Sequence, residues 1–266
     1  MEYNKRHLEE ARKQLLLRLG KNKKDSAFYL LYAFLGENKT LRDSLFLKLW
    51  ETYLISYRIF DDLIDDGRFD LIPYFFYFSN HASTLLLKAV PGNKDRRKFL
   101  ATLTEMHVHM VLDSKIKTTT NHYLKPRVTK TTYLKSGGII GIIDAYLNNE
   151  ISHYAGKYRK QVNSFVKNFL IGRQLSDDAS DWYTDILKYT RVRKIPILYR
   201  KKFEDQLGFI YAKQILEHLN KARRIAYSLN KRSIIKDLTL INKIIDKIYL
   251  PAKQIIGHTQ HPKQKT

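Results

Sequence analysis

GRQLSDDASDWYTDI, residues 172–186, sets Asp177, Asp178, Asp181 and Asp185 within nine residues, in a chain with 48 lysines and arginines against 26 aspartates and glutamates. A second acidic run, RIFDDLIDD at residues 58–66, stands more than 100 residues upstream. Both runs lie where apolar residues recur at three- and four-residue spacing, the helical period. On a helix, Asp61 and Asp65 share a face, as do Asp62 and Asp66. Asp177, Asp181 and Asp185 form a ladder with a spacing of four. The first run sits at the C-terminal end of its pattern, where the helix dipole is already negative and further negative charge is unfavourable. Like charges at this spacing also repel. Two helices that each carry such a burden point to shared cations. Oxygen ligands without cysteine or histidine suit Mg²⁺ or Mn²⁺, and Mg²⁺ is commonly held by a few carboxylates together with substrate phosphates. Taken singly, each cluster also reads as an acidic, solvated helix end.

Working outward, the same period predicts helices at about 2–19, 25–36, 40–66, 70–90, 94–113, 129–155, 157–187, 203–228 and 232–256. Gly20, Gly36, Gly67, Pro91-Gly92, Pro126 and Pro196 punctuate them. Strand-like alternation is scarce, so the fold class is all-α. With 44% hydrophobic residues in 266, one sizeable core is affordable. The reading is one helical domain over 1–256 and a flexible basic tail over 257–266. Residues 113–132 read as the clearest irregular loop.

The chain has no cysteine, which excludes disulfides and thiolate metal sites and makes a cytoplasmic location the expectation. MEYNKRHLEEARKQ carries charge where a signal peptide has its apolar core. No window offers 18 uncharged apolar residues, so no transmembrane helix is expected. The formal net charge of +22 attracts polyanions of any kind, and much of it reads as a solvated lysine-rich surface. His107 and His109 are two apart and fall on different faces of a helix, so they do not pair on one ion.

Arg58-Ile59-Phe60-Asp61-Asp62-Leu63-Ile64-Asp65 is similar, residue for residue, to the R-x-x-D-D-x-x-D motif of the squalene and phytoene synthases. Gln174, Asp181 and Asp185 stand at the spacing of that family's second motif, Q-x-x-N-x-x-x-D-x-x-x-D, with Asp177 in place of Asn. Gly137-Gly138-Ile139-Ile140-Gly141 resembles its A-G-x-V-G turn, and Tyr133 approximates its upstream tyrosine one residue out of register. The chain departs from the family at Lys24-Asp25-Ser26-Ala27-Phe28, where Ser-x-Ser-Phe is usual, and at Arg173. The resemblance covers roughly residues 25–195. Asp61-Asp62-Leu63-Ile64-Asp65 and Gln174 with Asp177, Asp178 and Asp181 also resemble the two D-D-x-x-D motifs of the elongating trans-prenyl synthases, whose Arg-Arg pair after the first motif is replaced here by Gly67-Arg68-Phe69-Asp70.

The resemblance implies a class I isoprenoid synthase fold, a helical bundle around a deep central cavity. It implies metal ligands at Asp61, Asp62, Asp65, Asp177, Asp178, Asp181 and Asp185, an allylic prenyl diphosphate as substrate, and head-to-head prenyl transfer. Arg58 would grip phosphate oxygens. Gln174 and Tyr133 would lie near the carbocation, Gly138 would let a helix or a substrate chain come close, and Tyr57 would line the wall. An elongating synthase, a terpene cyclase and a degenerate, non-catalytic homologue are the alternatives. From a different class, residues 113–132 and 188–202 mix lysine and arginine with tyrosine, as single-strand nucleic-acid binders do. That reading leaves both aspartate ladders unexplained, so no nucleic-acid partner is expected. A lipid product and a basic surface suit peripheral membrane contact.

Overall fold

The computed structural model describes residues 29–36, 40–90, 92–117, 130–150, 157–189 and 208–260, with Lys13 and Lys201 singly. Among the described residues every element is helical and there is no strand. In chain order these are α1 (Leu30–Leu35), α2 (Leu41–Asp66), a 3₁₀ turn (Phe69–Leu71), α3 (Ile72–Ala89), α4 (Asn93–Lys117), α5 (Lys130–Leu134), α6 (Gly137–Glu150), α7 (Lys157–Tyr189), α8 (Gly208–Asn230) and α9 (Leu238–Gln260). The helix expected at 2–19 and most of the basic segment 188–202 lie outside the described residues, as does 261–266 of the expected tail. Residues 257–260 of that tail continue α9.

Local chemistry sets the ends of α2. Thr40 Oγ1 accepts from the Asp43 amide at 3.1 Å, and the Thr40 amide donates to Asp43 Oδ2 at 2.7 Å, a capping box. Gly67 closes the helix at φ 64°, its N–H returning to the Asp62 carbonyl. The acidic run therefore does sit on the last turns of a long helix. Pro73 opens α3, where its missing N–H costs nothing.

Two expected helices break where the sequence pattern is continuous. The helix expected over 129–155 is interrupted at Lys135 and Ser136. Lys135 Nζ reaches Asp113 Oδ2 on α4 at 2.6 Å, with both side chains largely buried. The helix expected from 232 begins instead at 238. Ser233 takes φ 56°, and the Lys236 and Asp237 amides both donate to the Ala33 carbonyl, fastening this turn to α1. Asp237 Oδ1 then accepts from the Leu240 amide at 2.8 Å and starts α9. A tertiary bond outweighs the local period in both places.

The longest helix, α7, packs along α8, and α8 along α9. The α2–α3 pair folds back on itself, and α4 lies against α6. One contiguous core links these layers from Leu30 to Ala252, with Trp50, Tyr146, Phe34, Phe46 and Phe165 among its fully buried side chains. Gly172 lets α8 approach α7, because a Cβ there would stand 2.7 Å from Leu219 Cδ2. Asp43 does double duty, since its Oδ1 also accepts from the Tyr146 hydroxyl at 3.0 Å and ties the start of α2 to α6.

Asp144 on α6 is the clearest charged tie between helices. Its carboxylate receives Lys98 Nζ of α4 at 2.6 Å and Arg159 Nε of α7 at 2.7 Å. Burial alone would push this carboxyl up, but hydrogen bonds from Arg159 and Lys98, with their charges, hold it below the usual carboxylate range. A carboxyl whose folded pKa is depressed contributes stability above its unfolded value of about 3.9 and loses it as pH falls through the folded value. Denaturant melts from pH 6 down to pH 2 should therefore show a steeper acid loss for the wild type than for Asp144→Asn. One linked proton is worth about 1.4 kcal/mol per pH unit. Parallel slopes would mean that the tie does not act.

Candidate functional site

On α2, Arg58 spans both neighbouring carboxylates. Its Nη1 is 2.9 Å from Asp61 Oδ2 and its Nε 3.4 Å from Asp62 Oδ1. Asp62 is 4% exposed, whereas Asp61 and Arg58 remain partly open. Asp65, one turn on, is half-buried, and its side chain makes no ion pair or hydrogen bond among the described residues. The planar guanidinium thus holds two carboxylates on one side of the helix end, and Asp65 has no ionic partner among the described residues.

On α7 the arrangement is parallel in part. Gln174 Nε2 donates to Asp178 Oδ1 at 2.6 Å, and Asp178 is 6% exposed. Arg173 Nη2 lies 3.6 Å from Asp177 Oδ2. The adjacent carboxylates diverge: Asp177 is open to solvent, while Asp178 turns inward toward α8. There Tyr211 is buried, and burial followed by the Asp178 charge pushes its hydroxyl well above the usual tyrosine range. Asp181 and Asp185 occupy helical positions further along α7, and their side chains lie outside the described residues. Helical register puts positions 174, 178, 181 and 185 on one face.

The structure brings together Arg58 with Asp61 and Asp62, and Gln174 with Asp178. Among the described residues no three acidic or histidine side chains converge on one point. Grooves run between α7 and α8 and between α8 and α9, and among the described residues neither is lined by an aspartate of either motif.

The other expected site residues have definite neighbours. Gly138 on α6 gives its space to Tyr53 of α2: a Cβ there would overlap the tyrosine hydroxyl and stand 2.7 Å from Cε2. The close approach that the glycines imply is thus made by a helix side chain. The Tyr53 hydroxyl meets Met106 Sδ of α4 at 2.6 Å, and burial, with the neighbouring Tyr57, raises it well above the usual range. Tyr57 is half-buried, its ring 6.4 Å from that of Tyr53. Tyr133 on α5 has Lys167 Nζ 4.5 Å over its ring, so one face of that ring already holds a cation. His107 packs on the Phe60 ring at 4.5 Å, and burial lowers its pKa, which suits a packed imidazole. Sequence reasoning missed Asp144 and its two cations. The signal was there, a lone aspartate inside the apolar run GIIGIIDAYL.

No family model matches this chain, and neither a curated protein nor a solved structure matches it.

Proposed function

We propose that this protein is a Mg²⁺-dependent isoprenoid synthase that ionises an allylic prenyl diphosphate and performs head-to-head prenyl transfer. The reading rests on the motif resemblance and on one observation. Near the C-terminal part of two long helices, Asp62 and Asp178 are both buried, and each is engaged by a side chain four residues upstream, Arg58 and Gln174. Burying carboxylates beside further acids costs stability, and shared cation binding offsets that cost.

The donor set fits the metal. All candidates are carboxylate oxygens, and Asp65 is half-buried without an ionic partner among the described residues. Asp61, Asp62 and Asp65 would hold Mg²⁺ or Mn²⁺ from α2, and Asp177, Asp178, Asp181 and Asp185 from α7. Bound there, the cation would supply charge neutralisation to a leaving diphosphate. Arg58 pairs with Asp61 and Asp62 and offers its remaining N–H groups to phosphate oxygen. Gln174 orients Asp178. Tyr133 presents a ring face that accepts positive charge, as Lys167 demonstrates. The apolar residues of the bundle exclude water from a carbocation.

Product formation tests the reading. Purified protein with Mg²⁺ receives geranyl, farnesyl or geranylgeranyl diphosphate, each with and without isopentenyl diphosphate. A dimeric product from one allylic diphosphate alone, lost in Asp61→Ala and in Asp181→Ala, is the expected result. A longer diphosphate that requires isopentenyl diphosphate makes the protein an elongating synthase, and a cyclised monomer makes it a terpene cyclase. No turnover with any of them sinks the catalytic reading and leaves a non-catalytic homologue.

A further inference from the structure

The groove between α7 and α8 is open to solvent and has a volume of about 990 Å³. Lys160 and Ser164 line it from α7, and Lys221, Arg224 and Ser228 from α8. Within each helix these positions are three, four or seven apart and so share one face. Among the described residues no carboxylate lines the groove. Arg223, the residue beside Arg224, pairs with Asp246, and Arg159 pairs with Asp144. Lys160, Lys221 and Arg224 make no ion pair among the described residues. Three like charges gathered in a concavity repel one another, and an oxyanion relieves that repulsion.

Size and lining narrow the ligand. The volume is at the upper end of small-molecule sites, about 300–1,000 Å³, far more than an inorganic ion fills. Ile225 and the aliphatic stems of the lysines add apolar surface beside the charges. We infer that this groove binds a phosphorylated organic molecule carrying diphosphate-like charge, with Lys160, Lys221 and Arg224 as counter-charges and Ser164 and Ser228 as hydroxyl donors. It holds the ligand without a metal. Asp178 lies about 21 Å further along α7 from Ser164, so this site is separate from the aspartates. The inference stands independently of the prenyl-transfer reading.

His218 supplies a reporter. Its Nδ1 is 2.9 Å from Asn168 Oδ1, and Asn168 Nδ2 donates to the Ser164 carbonyl at 2.7 Å. Burial lowers the His218 pKa, Glu217 opposes this, and Lys221 and Lys167 lower it further. A phosphate beside Lys221 reverses part of that field and raises the pKa.

Calorimetry of the full chain in EDTA, with geranyl diphosphate and with ADP, tests the site. Lys221→Glu/Arg224→Glu should weaken binding at least tenfold, since both residues are exposed and the fold is spared. Lys243→Glu/Lys253→Glu, exposed on α9 with the same charge change, should leave binding unchanged. The His218 ring resonance, assigned with His218→Asn, should titrate at higher pH when ligand is bound. Vesicles of phosphatidic acid in phosphatidylcholine form a second arm. Binding to vesicles but not to soluble esters, lost in the groove variant, keeps the groove and assigns the phosphate to a lipid headgroup. Equal loss in both double variants, or binding of a single-stranded RNA with neither soluble ester nor vesicle bound, overturns the inference.

Discussion

Gly138→Ala destabilises this protein by about 3 kcal/mol, the upper end of ordinary overpacking. The added methyl has nowhere to go. It overlaps the hydroxyl end of Tyr53, a ring that is 3% exposed and enclosed by α2, α4 and α6. The interior is close-packed, so the ring cannot swing away without opening a void elsewhere. Tyr53→Phe should not rescue the variant, because the overlap includes ring carbon as well as the hydroxyl. Tyr53→Leu should rescue much of it, since leucine lacks the atoms beyond Cδ. Urea melts of the four proteins in the Gly138→Ala, Tyr53→Leu cycle read the coupling directly. Additive losses would show that the ring is not seated on that glycine.

Asp65→Asn should do the opposite to stability and far more to activity. Asp65 stands on the last turn of α2, where the dipole is negative, and Asp61 lies one turn before it. Removing the charge relieves the dipole interaction, worth about 0.3–1 kcal/mol, and a like-charge pair worth about 0.2–0.5 kcal/mol. No ion pair or hydrogen bond among the described residues is lost. The melting temperature should therefore rise by a few degrees, about 2–4 °C for a chain of this size. If Asp65 holds the cation of a prenyl-transfer site, turnover with the active allylic diphosphate falls at least about 100-fold, the scale of losing one transition-state electrostatic contact. A more stable protein with unchanged turnover would make the acidic run a solvated helix end and nothing more. The pairing of outcomes matters, because a merely structural acid moves stability alone.

The acid-linked tie at Asp144 and the cationic groove extend the same logic. For Asp144 the partners are Lys98 and Arg159, brought from two other helices. For Lys160, Lys221 and Arg224 the inferred partner is the phosphorylated ligand that the calorimetry tests.

Much of the architecture was legible in the residues. Apolar spacing marked α2, α3, α4 and α7 nearly to their ends, because local periodicity and capping residues such as Thr40, Gly67 and Pro73 act within a few residues of chain. The acidic C-terminus of α2 followed from helical register for the same reason. Tertiary contact alone decided the rest. The break at Lys135 depends on Asp113, 22 residues away, and the late start of α9 depends on the Ala33 carbonyl, about 200 residues away. Gly138 read as a place of close approach, but only packing identified Tyr53 as the group that approaches. Asp177 and Asp178 are neighbours with equal claims in sequence; the position of α8 turned one into a buried acid beside Tyr211 and left the other to Arg173 and solvent. A helix's period is written in its own residues, whereas the surface each face meets is set by chain that folds back from far away.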